Sequence, residues 1–169
     1  MKKRKIINNY DINKKVKELS ELIKSRYKKE IIIIGVMNGS FFFMRDLMIE
    51  IGDNFKYDFI FCSSYYGETK SSGKVKFLYP NKVDISGKDV LILEDIVDSG
   101  ATVEVIDREI RKYNPKSVEF ATLLIRRSCK TKLNLFWTGY KIKNEFVIGY
   151  GLDYKDEYRN SKDIYELIL

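Results

Sequence analysis

Val90-Leu-Ile-Leu-Glu-Asp-Ile-Val-Asp-Ser-Gly-Ala-Thr102 is the stretch on which the reading of this chain turns. Its first four residues, Val90–Leu93, have the length and side-chain type of a strand buried on both faces. Glu94, Asp95 and Asp98 follow, and then a small-residue turn, Ser99–Thr102. Beyond it Val103, Ile106, Ile110 and Tyr113 recur at helical spacing, closed by Asn114-Pro115. A helix that starts from such a turn has first N–H groups that are unpaired and partly positive. Ser99, Gly100, Ala101 and Thr102 therefore make a ready cradle for a phosphate. Gly100 allows the tight turn, and the Ser99 and Thr102 hydroxyls add donors. The acids stand where a sugar attached to that phosphate would lie. Neighbouring strand residues face opposite ways, so Glu94 and Asp95 share a task only if the strand has already ended. The competing reading is an acidic strand end with a plain helix cap at Asp98 or Ser99. The stretch fits neither G-x-x-x-x-G-K-[ST] nor G-x-G-x-x-G.

The flanking sequence repeats the alternation of strand and helix. Val16, Leu19, Ile23 and Tyr27 predict an amphipathic helix over roughly Asn13–Tyr27, and Ile31–Ile34 a buried strand ending at Gly35. A short loop, Val36–Gly39, leads to a second helix from Phe41 to about Ile51, whose apolar residues on nearly every face predict deep burial. Tyr57–Ser63 and Val75–Tyr79 read as strands around a polar, mobile loop at Ser64–Gly73, and Ser86-Gly87 as a turn. Val118–Ile125 and Phe146–Ile148 supply further strands. The fold class is α/β, with a mostly parallel central sheet flanked by helices. Ligands in such folds bind beyond the carboxyl ends of the strands.

Composition narrows the chemistry. The 169 residues are 44% hydrophobic and 33% charged, a globular balance, and they show no repeat or composition break, so residues 1–169 read as a single domain. With no His, Ser-His-Asp and Cys-His nucleophile systems and His-ligated zinc are excluded. Cys62 and Cys129 form no C-x-x-C and suit a reducing cytoplasm. The net charge of +7 favours anionic partners, phosphorylated small molecules or nucleic acid. The basic start, Met1–Tyr10, lacks an apolar stretch after it, and runs such as Ile31–Ile34 and Phe41–Met44 are too short to cross a bilayer. A soluble protein without membrane partners is expected.

At Leu91–Thr102 the chain resembles the purine phosphoribosyltransferases of the hypoxanthine-guanine type, in their binding motif for 5-phosphoribosyl 1-pyrophosphate. Val36-Met-Asn-Gly-Ser-Phe-Phe-Phe-Met-Arg-Asp-Leu47 is similar to the family's pyrophosphate loop and the helix after it. Ser63-Ser-Tyr65 through Ser71-Ser-Gly-Lys-Val-Lys76 is similar to its flexible catalytic loop, about 64–74 here. Phe146-Val-Ile-Gly-Tyr-Gly-Leu-Asp153, with Arg159 beyond it, is similar to its base- and metal-binding end. The resemblance implies the type I phosphoribosyltransferase fold, Rossmann-like, with a small hood from the N-terminal segment and about residues 126–169. It also implies transfer of the phosphoribosyl group to hypoxanthine or guanine, giving IMP or GMP and pyrophosphate. Glu94, Asp95, Asp98, Ser99, Gly100, Ala101 and Thr102 would hold the phosphoribosyl group and its 5′-phosphate. Met37, Asn38, Gly39 and Arg159 would hold pyrophosphate, and Arg126, Phe146, Val147 and Asp153 the purine. In the family's manner Mg²⁺ would be held by Glu94 and Asp95, and a second Mg²⁺ by Asp153 through water. Asp98 would be the general acid/base, with Ser64 and Tyr65 on the closing loop. A cis peptide is expected between Met37 and Asn38, and a homodimer or homotetramer is expected by analogy.

Two positions depart from the family pattern: Asn38 stands where Lys is usual in the pyrophosphate loop, and Arg126 where Lys usually meets the purine 6-oxo group. A guanidinium still donates to a carbonyl but is longer and planar; Arg127 competes for the role. Both changes bear on base preference. The alternatives are a xanthine-preferring enzyme and a phosphoribosyltransferase-like regulator that binds RNA through Lys2–Lys5, Lys14, Lys15 and Lys17. The basic cluster has little aromatic interleaving beyond Tyr10, so nucleic acid is not the expected partner. An orotate-type or donor-synthesising enzyme would share the Asp95–Thr102 logic but leave Phe146–Asp153 unexplained.

Overall fold

The computed structural model describes residues 1–53, 55–64, 75–80, 82–133, 135 and 137–168, leaving aside the side chains at 63, 64, 75 and 76. Lys2–Ile7 (β1) leads into Asn9–Arg26 (α1), Ile31–Met37 (β2), Phe41–Ile51 (α2), Phe55–Ser64 (β3) and Val75–Leu78 (β4). Asp89–Val97 (β5), Ala101–Ile110 (α3), Ser117–Arg126 (β6), Trp137–Ile142 (β7), Val147–Ile148 (β8) and Ile164–Ile168 (β9) complete the order.

Strand alternation sorts the apolar side chains into two cores. Ile31, Ile33, Leu91, Leu93, Ala121 and Leu123 point to one face, where Ile12, Val16, Leu19 and Ile23 of α1 and Phe43, Met44 and Leu47 of α2 cover them. Ile32, Ile34, Val90, Ile92, Val118 and Phe120 point to the other, against Val103, Ile106 and Ile110 of α3. Each such aliphatic side chain contributes about 1.5–3 kcal/mol by leaving water, which is why unbroken apolar runs settle at the middle of the sheet. The sheet order is β4-β3-β2-β5-β6-β7, antiparallel only between β3 and β4.

α1 begins earlier than its apolar spacing suggests because the Asn8 side chain caps it, accepting from the Asp11 N–H at 2.9 Å. Lys24 and Arg26 complement the carbonyl end. α2 has the expected bounds but not the expected burial. Phe43, Met44 and Leu47 are enclosed, whereas Phe41 and Ile49 are 55% and 62% exposed, because the sheet covers only one side of the helix.

β1, β9 and β8 form a second, antiparallel sheet, in which Lys2 pairs with Ile168 and Val147 with Glu166. Terminal segments thus build the small hood. β7, although inside the stretch about 126–169 assigned to the hood, extends the main sheet parallel to β6. Gly139 makes that pairing possible, since a Cβ there would lie 2.4 Å from the Leu123 carbonyl oxygen. Among the described residues no helix is long and apolar enough to cross a membrane.

The connections decide where a ligand can sit. From β2 the chain passes through α2 to β3 on one side, and from β5 through α3 to β6 on the other. The loops after β2 and β5 diverge, and the crevice between them is the usual binding place in such sheets.

Candidate functional site

A cavity of about 300 Å³ occupies that crevice. Val36–Gly39 line it from β2, Glu94–Gly100 with Thr102 and Val103 from β5 and α3, Cys62 from β3, and Asp153 and Arg159 from the approach to β9. Residues far apart in the sequence, expected from their motifs to share a ligand, therefore share one wall.

The β2 side is a tight loop. The Met37–Asn38 peptide is cis, as expected. The Ser40 hydroxyl donates to the Val36 carbonyl at 2.8 Å and starts α2 from beneath. A side chain at Gly39 would have to displace Asp95, because a Cβ would stand 1.9 Å from Asp95 Oδ2. Gly151 (φ +99°) closes on it from above, where a Cβ would be 2.0 Å from the Gly39 carbonyl oxygen.

On the β5 side the strand does not end at Leu93 but runs to Val97. Glu94 and Asp95 nevertheless face the same cavity. The ladder to β6 passes from Glu94↔Thr122 to Ile96↔Leu124, and across that step the alternation slips: Leu93 and Ile96 share the α1/α2 core while Ile92 and Val97 share the α3 core. Each carboxylate turns back on the main chain. Glu94 Oε1 accepts from the Asp95 N–H at 3.2 Å, and Asp95 Oδ1 from the Ile96 N–H at 2.7 Å.

Burial first, and then the Asp95 charge, raise the Glu94 carboxyl well above its ordinary range. Burial also raises Asp95, against the opposing hydrogen bonds and the Arg159 charge. Among the described residues neither acid has an ion-pair partner. Two desolvated carboxylates that no ion pair engages are a donor set that fits a divalent cation. The described residues hold no cluster of three or more His, Cys, Asp or Glu around one point, so the fit is to Mg²⁺ that brings further oxygen ligands with a bound phosphate compound.

Asp98, Ser99 and Gly100 form the turn into α3. Gly100 is the N-cap with φ +96°, a conformation glycine adopts without cost, and a Cβ would meet Thr131 Cβ at 2.5 Å. The Ala101 N–H already donates to Ser99 Oγ at 3.3 Å, so an anion there would compete with the Ser99 hydroxyl.

Arg159 is committed on two sides. Its Nη1 donates to the Gly151 carbonyl at 2.8 Å, and its Nη2 pairs with Asp153 at 2.8 Å. Asp153, expected as a ligand of a second cation, carries a guanidinium partner here.

The predicted purine side lies at the margin. Arg126, Phe146 and Val147 are not part of the cavity lining, and neither is Ala101. Val147 is buried in the hood, and Phe146, 39% exposed, stands edge-on to Tyr154 at 5.5 Å. Arg126 instead pairs with Asp98, Nε to Oδ1 at 2.9 Å. Ser64 ends β3, and Tyr65 lies outside the described residues.

Three participants were not singled out from the sequence, although Gly151 lies inside the Phe146–Asp153 motif. Cys62 enters through the pairing of β3 beside β2, and its thiol is pushed up to about 12 by burial and then by Glu94. Thr131 backs Gly100, and Gly151 stacks on Gly39. Glycine pairs with implausible Cβ space are visible only in three dimensions.

A family model described as a phosphoribosyl transferase domain matches residues 5–155. The hypoxanthine-guanine phosphoribosyltransferase of Bacillus subtilis strain 168 is 39% identical over 157 residues, covering 92% of this chain and 87% of that protein. The crystal structure of a hypoxanthine-guanine phosphoribosyltransferase from Bacillus anthracis, with a HEPES molecule in its active site, superposes with a TM-score of 0.90 at 37% identity, covering 98% of each chain. A Trypanosoma cruzi hypoxanthine phosphoribosyl transferase, studied for the role of its C-terminal region in oligomeric state and activity, gives a TM-score of 0.89 at 33% identity, covering 98% of this chain and 91% of that one.

Proposed function

The chain belongs to the phosphoribosyltransferase family, and we propose that it transfers the phosphoribosyl group of 5-phosphoribosyl 1-pyrophosphate to hypoxanthine or guanine. The bond from C1 to the pyrophosphate oxygen breaks, the bond from C1 to N9 forms, and IMP or GMP leaves with pyrophosphate. The observation that carries this reading is the meeting of Glu94–Thr102 with Val36–Gly39 and Arg159 around one cavity.

Ser99, Gly100, Ala101 and Thr102 grip the 5′-phosphate at the start of α3, where backbone N–H groups and the helix field favour a dianion. Glu94 and Asp95 hold the ribose side and, with Asp153 through water, are the residues that would hold Mg²⁺. Bound there, that cation supplies charge neutralisation as the leaving pyrophosphate concentrates negative charge. Met37, Asn38 and Gly39 present backbone groups to the pyrophosphate, with the Arg159 guanidinium beside them. Asp98 moves the purine proton as N9 attacks. Phe146 stacks on the base, Val147 reads its edge through backbone atoms, and Arg126 borders the slot. Ser64 and Tyr65 belong to the segment that excludes water.

A homo-oligomer and a cytoplasmic setting complete the proposal. The free thiols of Cys62 and Cys129 suit a reducing compartment. RNA binding is disfavoured by the hood, where Arg4 pairs with Glu166 and Lys5 with Asp163, each at 2.7 Å, so half of the basic cluster Lys2–Lys5 is already neutralised.

The test is a panel of guanine, hypoxanthine, xanthine and adenine, each with the donor and Mg²⁺, following pyrophosphate release. Turnover with hypoxanthine or guanine and none with adenine is expected. Preference for adenine, or tight salt-sensitive RNA binding without turnover, would overturn the reading.

A further inference from the structure

Arg126 is the last residue of β6, and its side chain is only 14% exposed. Its guanidinium is engaged on two opposite sides. Nε faces the turn after β5, 2.9 Å from Asp98 Oδ1. Nη1 donates to the carbonyls of Lys143 and Glu145, at 2.9 and 3.0 Å, in the segment between β7 and β8. The next residue reinforces the tie, since the Arg127 N–H donates to the Ile142 carbonyl at 2.8 Å.

One planar group thus joins the carboxyl ends of three strands. On one side stands Asp98, 67% exposed. On the other, one residue beyond Glu145, stands Phe146. Among the described residues nothing else engages the Asp98 carboxylate, so Oδ2 is left for a substrate proton.

Resting on the proposed function, we propose that Arg126 is a positioning residue for the transfer. By clasping Asp98 with one edge of the guanidinium and the Lys143 and Glu145 carbonyls with another, it fixes the gap between the proton carrier and the ring of Phe146. It acts on the base through that gap, not through contact with the purine 6-oxo group. A rigid fork can serve both sides at once, while an ammonium at a single point cannot. Without the clasp Asp98, on an exposed turn, would wander among rotamers, and a misplacement of about 1 Å costs about 10²-fold in rate.

The experiment compares the wild type, Arg126→Gln, Arg126→Lys, Asp98→Asn and the double variant Asp98→Asn/Arg126→Gln. It measures kcat and KM with hypoxanthine, guanine and adenine at saturating donor and Mg²⁺, and KM for the donor. Wild-type turnover with a 6-oxopurine tests the proposed function by itself; if it is absent, that reading falls and this one with it. Given that turnover, Arg126→Gln should lower kcat by about 10²-fold. The donor KM should stay within about twofold, since Arg126 itself is not among the residues that line the donor cavity. Discrimination of hypoxanthine over adenine should survive. Arg126→Lys should recover only part of the loss, and it supplies the reading if Arg126→Gln does not fold. On the Asp98→Asn background the Gln substitution should cost about twofold or less, because there is no longer a carboxylate to place. The proposal is overturned if that second step costs as much as in the wild type. It is equally overturned if Arg126→Gln begins to accept adenine, which would mean direct contact with the 6-oxo group.

Discussion

Gly39 and Asp95 touch through space that a single methyl group would fill, with a Cβ on Gly39 falling 1.9 Å from Asp95 Oδ2. The loop proposed to hold pyrophosphate is therefore seated directly on the carboxylate proposed to hold the ribose side. Gly39→Ala must push Asp95 off the Ile96 N–H or lift the loop. The expected result is a fall of about 10²-fold in kcat/KM for the donor. Steady-state kinetics with varied donor check this, with near-normal kcat/KM counting against the contact.

Asp98 carries the proton in the proposed reaction. Asp98→Asn keeps size and hydrogen bonding but cannot accept a proton, so turnover should fall by roughly 10²–10⁴-fold with the melting temperature little changed. Wild-type turnover in that variant would remove Asp98 from the role.

Cys62 lines the cavity but should be inert. With its thiol pushed up to about 12, the thiolate fraction at pH 8 is about 10⁻⁴, and alkylation of the native protein there should be far slower than of an unfolded control. Mass spectrometry of the labelled peptide reads this. Rapid native labelling at Cys62 would show the thiol to be accessible and ionised.

The hood should weaken in acid. The Lys5 ammonium and the Asn9 N–H hold the Asp163 carboxyl below its ordinary value of 3.8. A depressed acid stabilises the fold above its unfolded pKa, and that contribution is lost as pH falls through the lower folded value. Melting curves should show the wild type losing its advantage over Asp163→Asn below about pH 4. An unchanged difference down to pH 2 would show that the pair does nothing for stability.

The donor side of the site was legible because its chemistry is local: a strand, acids and a small-residue turn in one run, Val90–Thr102. The purine side was not. Arg126 finds its partners in the carbonyls of Lys143 and Glu145, and main-chain acceptors carry no sequence signature. Glu94 and Asp95 were expected to diverge unless β5 had ended, but a slip in alternation turns both into the cavity. In the fold, apolar runs located β2, β5 and β6. β1, β7 and β9 escaped notice for a different reason. β1 is Lys-Lys-Arg-Lys-Ile-Ile, with no alternation, and what holds it extended is β9, more than 150 residues away, through Arg4–Glu166 and Lys5–Asp163. β7 depends on Gly139 fitting against Leu123, which no periodicity reports.

The pairing of Lys2 with Ile168 also orders events during synthesis. On the ribosome, every strand of the six-stranded sheet has been made once Ile142 emerges, while β1 still waits for β9. A nascent chain can thus assemble early the half proposed to grip phosphate. It closes the hood only when translation has passed residue 168.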